Sequence, residues 1–453
     1  MSTPTTTAPD PVTATTGTPD ALLGLKRLAS PYGLVGRVRR LPTAPGDPDF
    51  EIYTSELGNL AQLHENVRES TGGRTTRGEF DGAGGGIDGE RALCVSIAEA
   101  LERYSSCTFD QDQLVWATAN ELGDEAIDLD TLPRHSEREL ADPQCPVVPM
   151  DKDAPMRWVR GVSLMTRREV WIPAVLVYLH IPARARGERF ALPISTGCAA
   201  HSDLSSALLG ALCEVVERDA IALTWLQRLQ LPQIEVDVED EALAAFAARD
   251  RHTSVTRLLF DGTTDLGIPT VYSLELSPHD DHLAQMVMAS TTLDPQDGVV
   301  KVSREGASAR IALSVPRPMP DTPEEFTNVF HGASWMGHRD RRGEFAFLQE
   351  STGRRKLSEL PSIATGTPEG DLRAVLGRLE GAGMEAFAVD LTTDEADAVG
   401  FRVVRTVVPG LMPLSFARQA QYRGHPRLYE APPRFGHEAH PESLLNASPQ
   451  PFA

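Results

Sequence analysis

Two stretches of the chain place glutamate and arginine at the same helical spacing within apolar sequence. Residues 207–225, ALLGALCEVVERDAIALTW, contain Glu214, Glu217 and Arg218. Positions three and four apart lie on one side of a helix, so these charged groups share a face of an element apolar enough to be buried. A buried carboxylate is costly unless it is paired or binds a cation. The stretch therefore predicts a buried polar site.

Residues 92–106, ALCVSIAEALERYSS, repeat the arrangement with Glu99, Glu102 and Arg103, and with Ser96 one turn earlier. Carboxylates hold Mg²⁺ in proteins, usually together with substrate phosphates, and guanidinium groups clamp phosphate oxygens. Two E-x-x-E-R helices therefore predict two halves of one nucleotide–Mg²⁺ site. The alternative is Glu–Arg pairing within each helix, as on many exposed helices.

A small-residue segment precedes each of these helices. Residues 71–89, TGGRTTRGEFDGAGGGIDG, predict a glycine-rich loop, and residues 190–203, FALPISTGCAAHSD, predict a second loop. A glycine loop that leads into a helix N-terminus can bind an anion through backbone N–H groups, although the first segment is also consistent with a flexible entry loop. It contains no G-K-[ST], so it is not a Walker loop.

The composition excludes several classes of protein. The chain of 453 residues carries a net charge of -21, which argues against nucleic-acid and anionic-membrane binding. We find no apolar stretch that approaches the ~20 residues of a membrane span and no secretory signal. The five cysteines are widely spaced without a C-x-x-C pair, which disfavours a disulfide framework or a cysteine zinc site. These features indicate a cytoplasmic protein with free thiols.

The remaining pattern mixes strands and helices without strict βαβ alternation, so the fold class is α+β with mixed sheets. Residues 1–20 are rich in Thr, Pro and Ala and are expected to be disordered. Strands are expected within 30–41 and 170–182, a strand–turn–strand at 254–276, a helix from about Asp297 that carries Glu305 and Arg310, a helix at 371–384, and strands in EAFAVDL and FRVVRTVVPG.

Several of these motifs together resemble the YcaO family. SIAEALER is similar to its S-x-x-E-x-x-E-R signature, and ALCEVVERDA is similar to its second E-x-x-E-R signature. LLFDGTTDLGIPTV and, at 389–414, VDLTTDEADAVGFRVVRTVVPGLMPL are similar to later segments, in the same order. The resemblance implies a pseudo-symmetric α+β YcaO fold, with a catalytic domain at 21–445 and a C-terminal tail at 446–453.

The resemblance also implies the chemistry. Family members bind ATP with Mg²⁺ and phosphorylate a peptide amide oxygen after a Cys, Ser or Thr side chain has added to the carbonyl, which leaves a thiazoline or oxazoline. By position, the ligands of Mg²⁺ are Glu99, Glu102, Glu214 and Glu217. By position, the nucleotide contacts are Ser96, Arg103, Arg218 and, from a later motif, Arg310.

The C-terminus, Pro449-Gln450-Pro451-Phe452-Ala453, is similar to the proline-rich tail that reaches the active site in azoline-forming members. This similarity assigns Pro451 and Ala453 to the catalytic site, with the terminal carboxylate as a local base or positioning group. A frayed tail is the alternative. The chain departs from the family pattern by Gly85 in place of a lysine and by Ser195-Thr196-Gly197 … His201-Ser202 in place of S-N-G … G-N. Ser206 replaces a glutamate and Ser308 a glutamine, a variation similar to that among SagD-like maturases.

The resemblance implies partners as well. The substrate is a precursor peptide, and because residues 1–20 contain no leader-recognition module, a separate ThiF-like or leader-binding protein is expected; a homodimer is left open. Two alternative functions remain. One is another YcaO reaction, which forms a thioamide or amidine, and the other is a non-catalytic scaffold subunit with a decayed nucleotide site.

Overall fold

The computed structural model describes residues 20–73 and 80–452. The tail predicted to be disordered therefore lies outside the described residues, apart from Asp20. The α-helices are α1 Asp20–Leu23, α2 Leu60–Leu63, α3 Glu65–Ser70, α4 Gly89–Cys107, α5 Ala119–Leu122, α6 Glu137–Leu140, α7 Leu204–Gln227, α8 Glu241–Ala247, α9 Pro295–Ser314, α10 Val329–Gly337, α11 Ala346–Gln349, α12 Pro368–Gly381, α13 Asp394–Ala398 and α14 Arg427–Arg434.

The strands form three sheets. They are β1 Arg37–Leu41, β2 Glu51–Glu56, β3 Gly82–Gly86, β4 Val115–Ala117, β5 Met156–Ser163, β6 Glu169–Pro173, β7 Cys198–His201, β8 Gln233–Glu235, β9 Thr256–Asp261, β10 Thr270–Leu276, β11 Gln285–Thr291, β12 Arg354–Lys356, β13 Phe387–Asp390 and β14 Arg402–Val407. The sheet orders are β1-β2-β3, β11-β10-β9-β8-β12 and β4-β5-β13-β14-β7, with β6 beside β5. All pairs are antiparallel except β8 with β12, which confirms the expected mixed α+β class.

The three longest helices connect these sheets. Helix α4 packs on β2 and β3 and touches β7, α7 packs on β7, β14 and β11, and α9 packs on β10, β11 and β3. Each begins at an aspartate N-cap whose carboxylate accepts backbone N–H bonds: Asp88, Asp203 and Asp294. Such a cap satisfies donors that the first turn would leave unpaired. Helices α4 and α9 thus share strand β3, and helices α7 and α9 share strand β11.

The first glycine-rich segment differs from the prediction of a loop. Residues 74–79 lie outside the described residues, but Gly82–Gly86 form strand β3. A Cβ at Gly82 would lie 2.0 Å from the Ser96 carbonyl oxygen, and one at Gly84 would lie 1.9 Å from that of Ala92. These glycines therefore let the strand pack directly against the backbone of α4. A glycine-rich composition alone does not distinguish such a closely packed strand from a loop.

The other expected elements are largely present. Strand 170–182 is shorter than predicted, because β6 ends at Pro173 and a 3₁₀ turn follows; proline removes the donor that a longer ladder needs. Of residues 30–41, only Arg37–Leu41 form a strand. The helix expected from about Asp297 begins at Pro295, a favoured first helical position. No helix in the described part of the chain is long and apolar enough to span a membrane.

Candidate functional site

The first E-x-x-E-R helix holds Glu99 between a backbone donor and an arginine. Its carboxylate accepts a hydrogen bond from the Ala83 N–H of β3 at 2.8 Å and another from Arg103 Nη2 at 2.5 Å. The side chains of Glu99 and Arg103 are 32% and 30% exposed. The apolar sequence predicts that these two side chains are enclosed in the core. The structure instead places them at an accessible surface.

The second E-x-x-E-R helix repeats this arrangement. Glu214 accepts a hydrogen bond from the Gly197 N–H at 2.9 Å and another from Arg218 Nη2 at 3.2 Å. Gly197 has φ +86°, and a Cβ there would lie 2.6 Å from the Thr406 carbonyl oxygen, so only glycine fits. Each half therefore contains a glutamate, an arginine one turn later and a backbone N–H from the segment before the helix.

Helices α4 and α7 both pack on β7 and β14, which brings the two halves to the same sheet. Burial, and then the like charges of Glu214 and Glu99, raise the pKa of Glu102 well above its usual value. A charge on α7 therefore acts on a carboxyl group of α4. We call Glu99, Glu102, Arg103, Glu214, Glu217 and Arg218 the paired-helix site.

Glu217 differs from Glu102, although both occupy the second glutamate position of their motifs. Its carboxylate accepts a hydrogen bond from the Thr291 N–H at the end of β11, at 3.0 Å. Lys301 Nζ of α9 lies 3.6 Å from the same oxygen and 3.9 Å from Glu305 Oε1. Burial raises the pKa of Glu217, against the opposing effect of Lys301.

Sequence reasoning assigned no role to Lys301 or Arg405. Lys301 and Glu305 are spaced i, i+4 on α9, a pairing signal that could have been noticed. Arg405 interrupts the apolar strand β14, where its Nη1 donates to the Ile194 carbonyl oxygen at 2.7 Å and contacts Cys198 Sγ at 3.3 Å. Its charge opposes the rise in the pKa of Glu102. Both cations belong to the surroundings of the paired-helix site.

The side chains present are compatible with a nucleotide phosphate and Mg²⁺. Arg218 Nε is buried and has no hydrogen-bond partner among the described residues, so it has a donor to spare for an anion. No group of three His, Cys, Asp or Glu side chains in the described ranges converges on a single metal position.

Two residues predicted to contact the nucleotide, Ser96 and Arg310, are buried against protein partners in this structure. Ser96 is fully buried, and its Oγ lies 2.7 Å from Ser55 Oγ of β2. Arg310 is 3% exposed and pairs with Asp47 at 3.1 Å and with Glu275 at 3.9 Å. Ser96 lies on the face of α4 that packs against β2 and β3, and Arg310 belongs to a buried ionic cluster with Asp47 and Glu275. Their contacts with the nucleotide stay predictions.

The C-terminal tail is docked rather than frayed. Residues 449–452 are all buried, and the Phe452 ring lies 5.4 Å from that of Tyr272 on β10 in an edge-on arrangement. A Cβ at Gly332 of α10 would lie 2.2 Å from the Gln450 carbonyl oxygen, so the helix packs closely on the tail. Pro451 is buried in this contact, whereas Ala453 lies outside the described residues.

The docked tail lies near α7. The Trp225 Nε1 group donates to the Ser448 carbonyl oxygen at 3.3 Å, and the Asn446 N–H donates to the Leu226 carbonyl oxygen at 2.8 Å. Trp225 is two helical turns beyond Arg218, a rise of about 10 Å. The tail is thus anchored on the same helix that carries half of the paired-helix site; its role in catalysis stays a prediction.

Comparisons with known proteins agree with this architecture. The family model described as "YcaO cyclodehydratase, ATP-ad Mg2+-binding" matches residues 83–412. An uncharacterized protein of Methanothermobacter thermautotrophicus is 28% identical over 338 residues, which cover 73% of this chain and 81% of that protein. The family match includes both E-x-x-E-R helices.

Solved structures show the same fold at low sequence identity. A heterocyclase solved in complex with substrate and cofactor has a TM-score of 0.78 and 24% identity over 95% of this chain; the chain spans 57% of that protein's length. YcaO from Methanopyrus kandleri, bound with AMPPCP and Mg²⁺, has a TM-score of 0.61 and 19% identity, covering 86% of this chain and 90% of that one. Because the family model matches most of its length, this chain belongs to the YcaO family.

Proposed function

We propose that this chain is an ATP-dependent cyclodehydratase that converts Cys, Ser or Thr residues of a ribosomally made precursor peptide into thiazoline or oxazoline rings. The observation that carries the proposal is the matched pair Glu99–Arg103 and Glu214–Arg218 on two helices of one site. The spare Nε donor of Arg218 adds support, because phosphate oxygens are acceptors that a guanidinium group binds well.

The residues divide between metal and phosphate. Glu99, Glu102 and Glu214 are the proposed carboxylates for Mg²⁺, and Arg103 and Arg218 are the proposed phosphate contacts. When bound, Mg²⁺ neutralises charge that develops on a transferring phosphoryl group. Glu217 already has contacts with the Thr291 N–H and with Lys301. The arginines are held by their own glutamates, so they need little reorganisation when a triphosphate arrives.

The proposed reaction has three steps. The Sγ or Oγ of the substrate residue adds to the carbonyl carbon of the preceding peptide bond, and its proton is lost. The resulting oxyanion attacks the γ-phosphorus of ATP, and ADP leaves. Phosphate is then eliminated as the ring C=N bond forms and the amide nitrogen loses its proton. Arg103 and Arg218 would stabilise the charge on the phosphoryl oxygens throughout.

The docked tail supports ring formation over the other reactions of the family. Phe452 contacts Tyr272, which pairs with Ala289 of β11. Strand β11 ends at Thr291, the residue whose N–H binds Glu217. The buried tail and the paired-helix site are thus connected through one strand pair. We propose that Pro451 shapes the tail and that the terminal carboxylate of Ala453 positions the substrate or accepts its proton.

One reconstitution tests the proposal. The full chain is incubated with ATP, Mg²⁺, a cognate precursor peptide and the proposed leader-binding partner, and the peptide is analysed by mass. Loss of one water for each modified residue supports azoline formation, whereas exchange of oxygen for sulfur would instead indicate a thioamide. Binding of ATP and Mg²⁺ without any modification would contradict the proposed reaction, and no nucleotide binding would indicate a scaffold subunit.

A further inference from the structure

We infer that Lys301 is a built-in cation for Glu217, so that the divalent ions of the site are held by Glu99, Glu102 and Glu214 and not by Glu217. This inference rests on the proposed ATP–Mg²⁺ function. It also changes the expectation from sequence, which treats the four glutamates as equivalent ligands. Its basis is the geometry around the second glutamate of each motif.

Glu217 already has the contacts that a buried carboxylate requires. The Thr291 N–H donates to Glu217 Oε2 at 3.0 Å, and Lys301 Nζ lies 3.6 Å from that oxygen. Glu217 is 5% exposed, so its charge depends on neighbouring groups rather than on water. The carboxylate is therefore oriented by a strand and faces a lysine before any ligand binds.

Lys301 is held in turn by two carboxylates. Its ammonium lies 3.9 Å from Glu305 Oε1, so it sits between Glu217 of α7 and Glu305 of its own helix. Burial tends to lower the pKa of Lys301, but the charges of Glu305 and Glu217 outweigh this effect and raise the pKa above its usual value. A divalent ion placed on Glu217 would have to approach this fixed positive charge, which opposes its binding.

Glu102, at the equivalent position of the first motif, has the opposite surroundings. It lies near the carboxylates of Glu214 and Glu99, whose charges add to the effect of its burial. The cations that act on it, Arg103 and Arg405, have other partners: Arg103 pairs with Glu99, and Arg405 with Ile194 and Cys198. Among the described residues the Glu102 carboxylate has no hydrogen bond or ion pair, so it is available to a divalent cation, whereas Glu217 is already contacted by the Thr291 N–H and by Lys301.

Mn²⁺ binding tests the inference without reference to catalysis. Free Mn²⁺ is measured by electron paramagnetic resonance in a titration of the full chain with a non-hydrolysable ATP analogue. We expect Glu217→Gln to bind the same number of ions as the wild type, with a Kd changed by no more than about threefold. We expect Glu102→Gln to lose an ion or to weaken binding by at least ~10-fold, since it removes a ligand.

Lys301 variants provide the second arm. Lys301→Arg keeps the positive charge and should leave the number of bound ions unchanged, whereas Lys301→Met exposes Glu217 to Mn²⁺ and should add one ion. If Lys301→Met does not fold, Glu217→Gln decides alone, because its amide can still accept the Thr291 N–H. Loss of Mn²⁺ by Glu217→Gln equal to that of Glu102→Gln overturns the inference. No Mn²⁺ binding by the wild type with the analogue instead overturns the proposed function.

Discussion

Gly85 on β3 lies directly against Ser308 on α9: a Cβ at position 85 would be 2.6 Å from Ser308 Oγ and 3.2 Å from the Arg304 carbonyl oxygen. These two positions are separate departures from the family pattern in the sequence, yet they form one contact in the fold. A larger side chain at either position would meet the other element. The two departures are therefore adjacent in the fold, and the absence of a side chain at Gly85 lets β3 pack closely on α9.

Gly85→Ala tests this contact. We expect it to lower the free energy of unfolding by about 1–3 kcal/mol, because the added methyl overpacks the interface. In a Ser308→Ala background the cost should shrink by at least ~0.5 kcal/mol, since contacting residues couple. Urea denaturation of the four proteins in the cycle measures both quantities.

Gly84→Ala is the matched control. Its Cβ would lie 1.9 Å from a backbone oxygen of Ala92, so Ser308→Ala should give it no relief. Equal relief of Gly84→Ala and Gly85→Ala would contradict the specific contact between Gly85 and Ser308.

Arg218→Met should abolish most ATP turnover. The change removes the Nη2 bond to Glu214 and the spare Nε donor while it keeps an aliphatic side chain of similar length. Loss of one preorganised donor costs roughly 10²–10³-fold in rate. Peptide-dependent phosphate release measures the effect, and Arg402→Met, which breaks only an exposed pair with Asp397, is the control. An Arg218→Met variant as active as this control would exclude the phosphate role.

Glu102 should make the metal-free protein less stable as the pH rises. Its pKa in the folded chain is raised well above the usual 4.5, so the folded state binds this proton more tightly than the unfolded state does. The free energy of unfolding should therefore fall as the pH increases from about 4.5 toward the raised pKa, with a limiting slope of ~1.4 kcal/mol per pH unit.

Thermal melts in EDTA across this pH range measure the effect. Glu102→Gln should flatten the dependence and raise the Tm at alkaline pH, because it removes a carboxylate that is costly to ionise. An equally steep dependence in Glu102→Gln and the wild type would show that other groups cause it.

Phe452→Ala should destabilise the chain by about 3–5 kcal/mol, although it lies one residue from the C-terminus. Its ring is 2% exposed and packs against Tyr272 in the core around the end of α7. Leu444→Ala, at a nearby position that is 62% exposed, should change stability by no more than about 0.5 kcal/mol. Guanidinium denaturation compares them, and equal small effects would mean that the tail is not docked in solution.

The sequence by itself determined the parts of this protein that depend on spacing within one element. Both E-x-x-E-R helices, and the pairing of each first glutamate with an arginine one turn later, follow from helical periodicity. The ordered motifs also identified the family. Each of these features needs only residues a few positions apart, so no knowledge of packing is required.

The tertiary structure alone decided which groups meet across elements. It made the glycine-rich segment a strand, because β3 packs against the backbone of α4. It turned Ser96 toward β2 and placed Arg310 in a separate ionic cluster. It also brought Lys301 to Glu217 but not to Glu102, although both glutamates occupy the second position of their motifs. A buried charge is governed by whichever partners packing brings within a few ångströms, and helical spacing does not specify them.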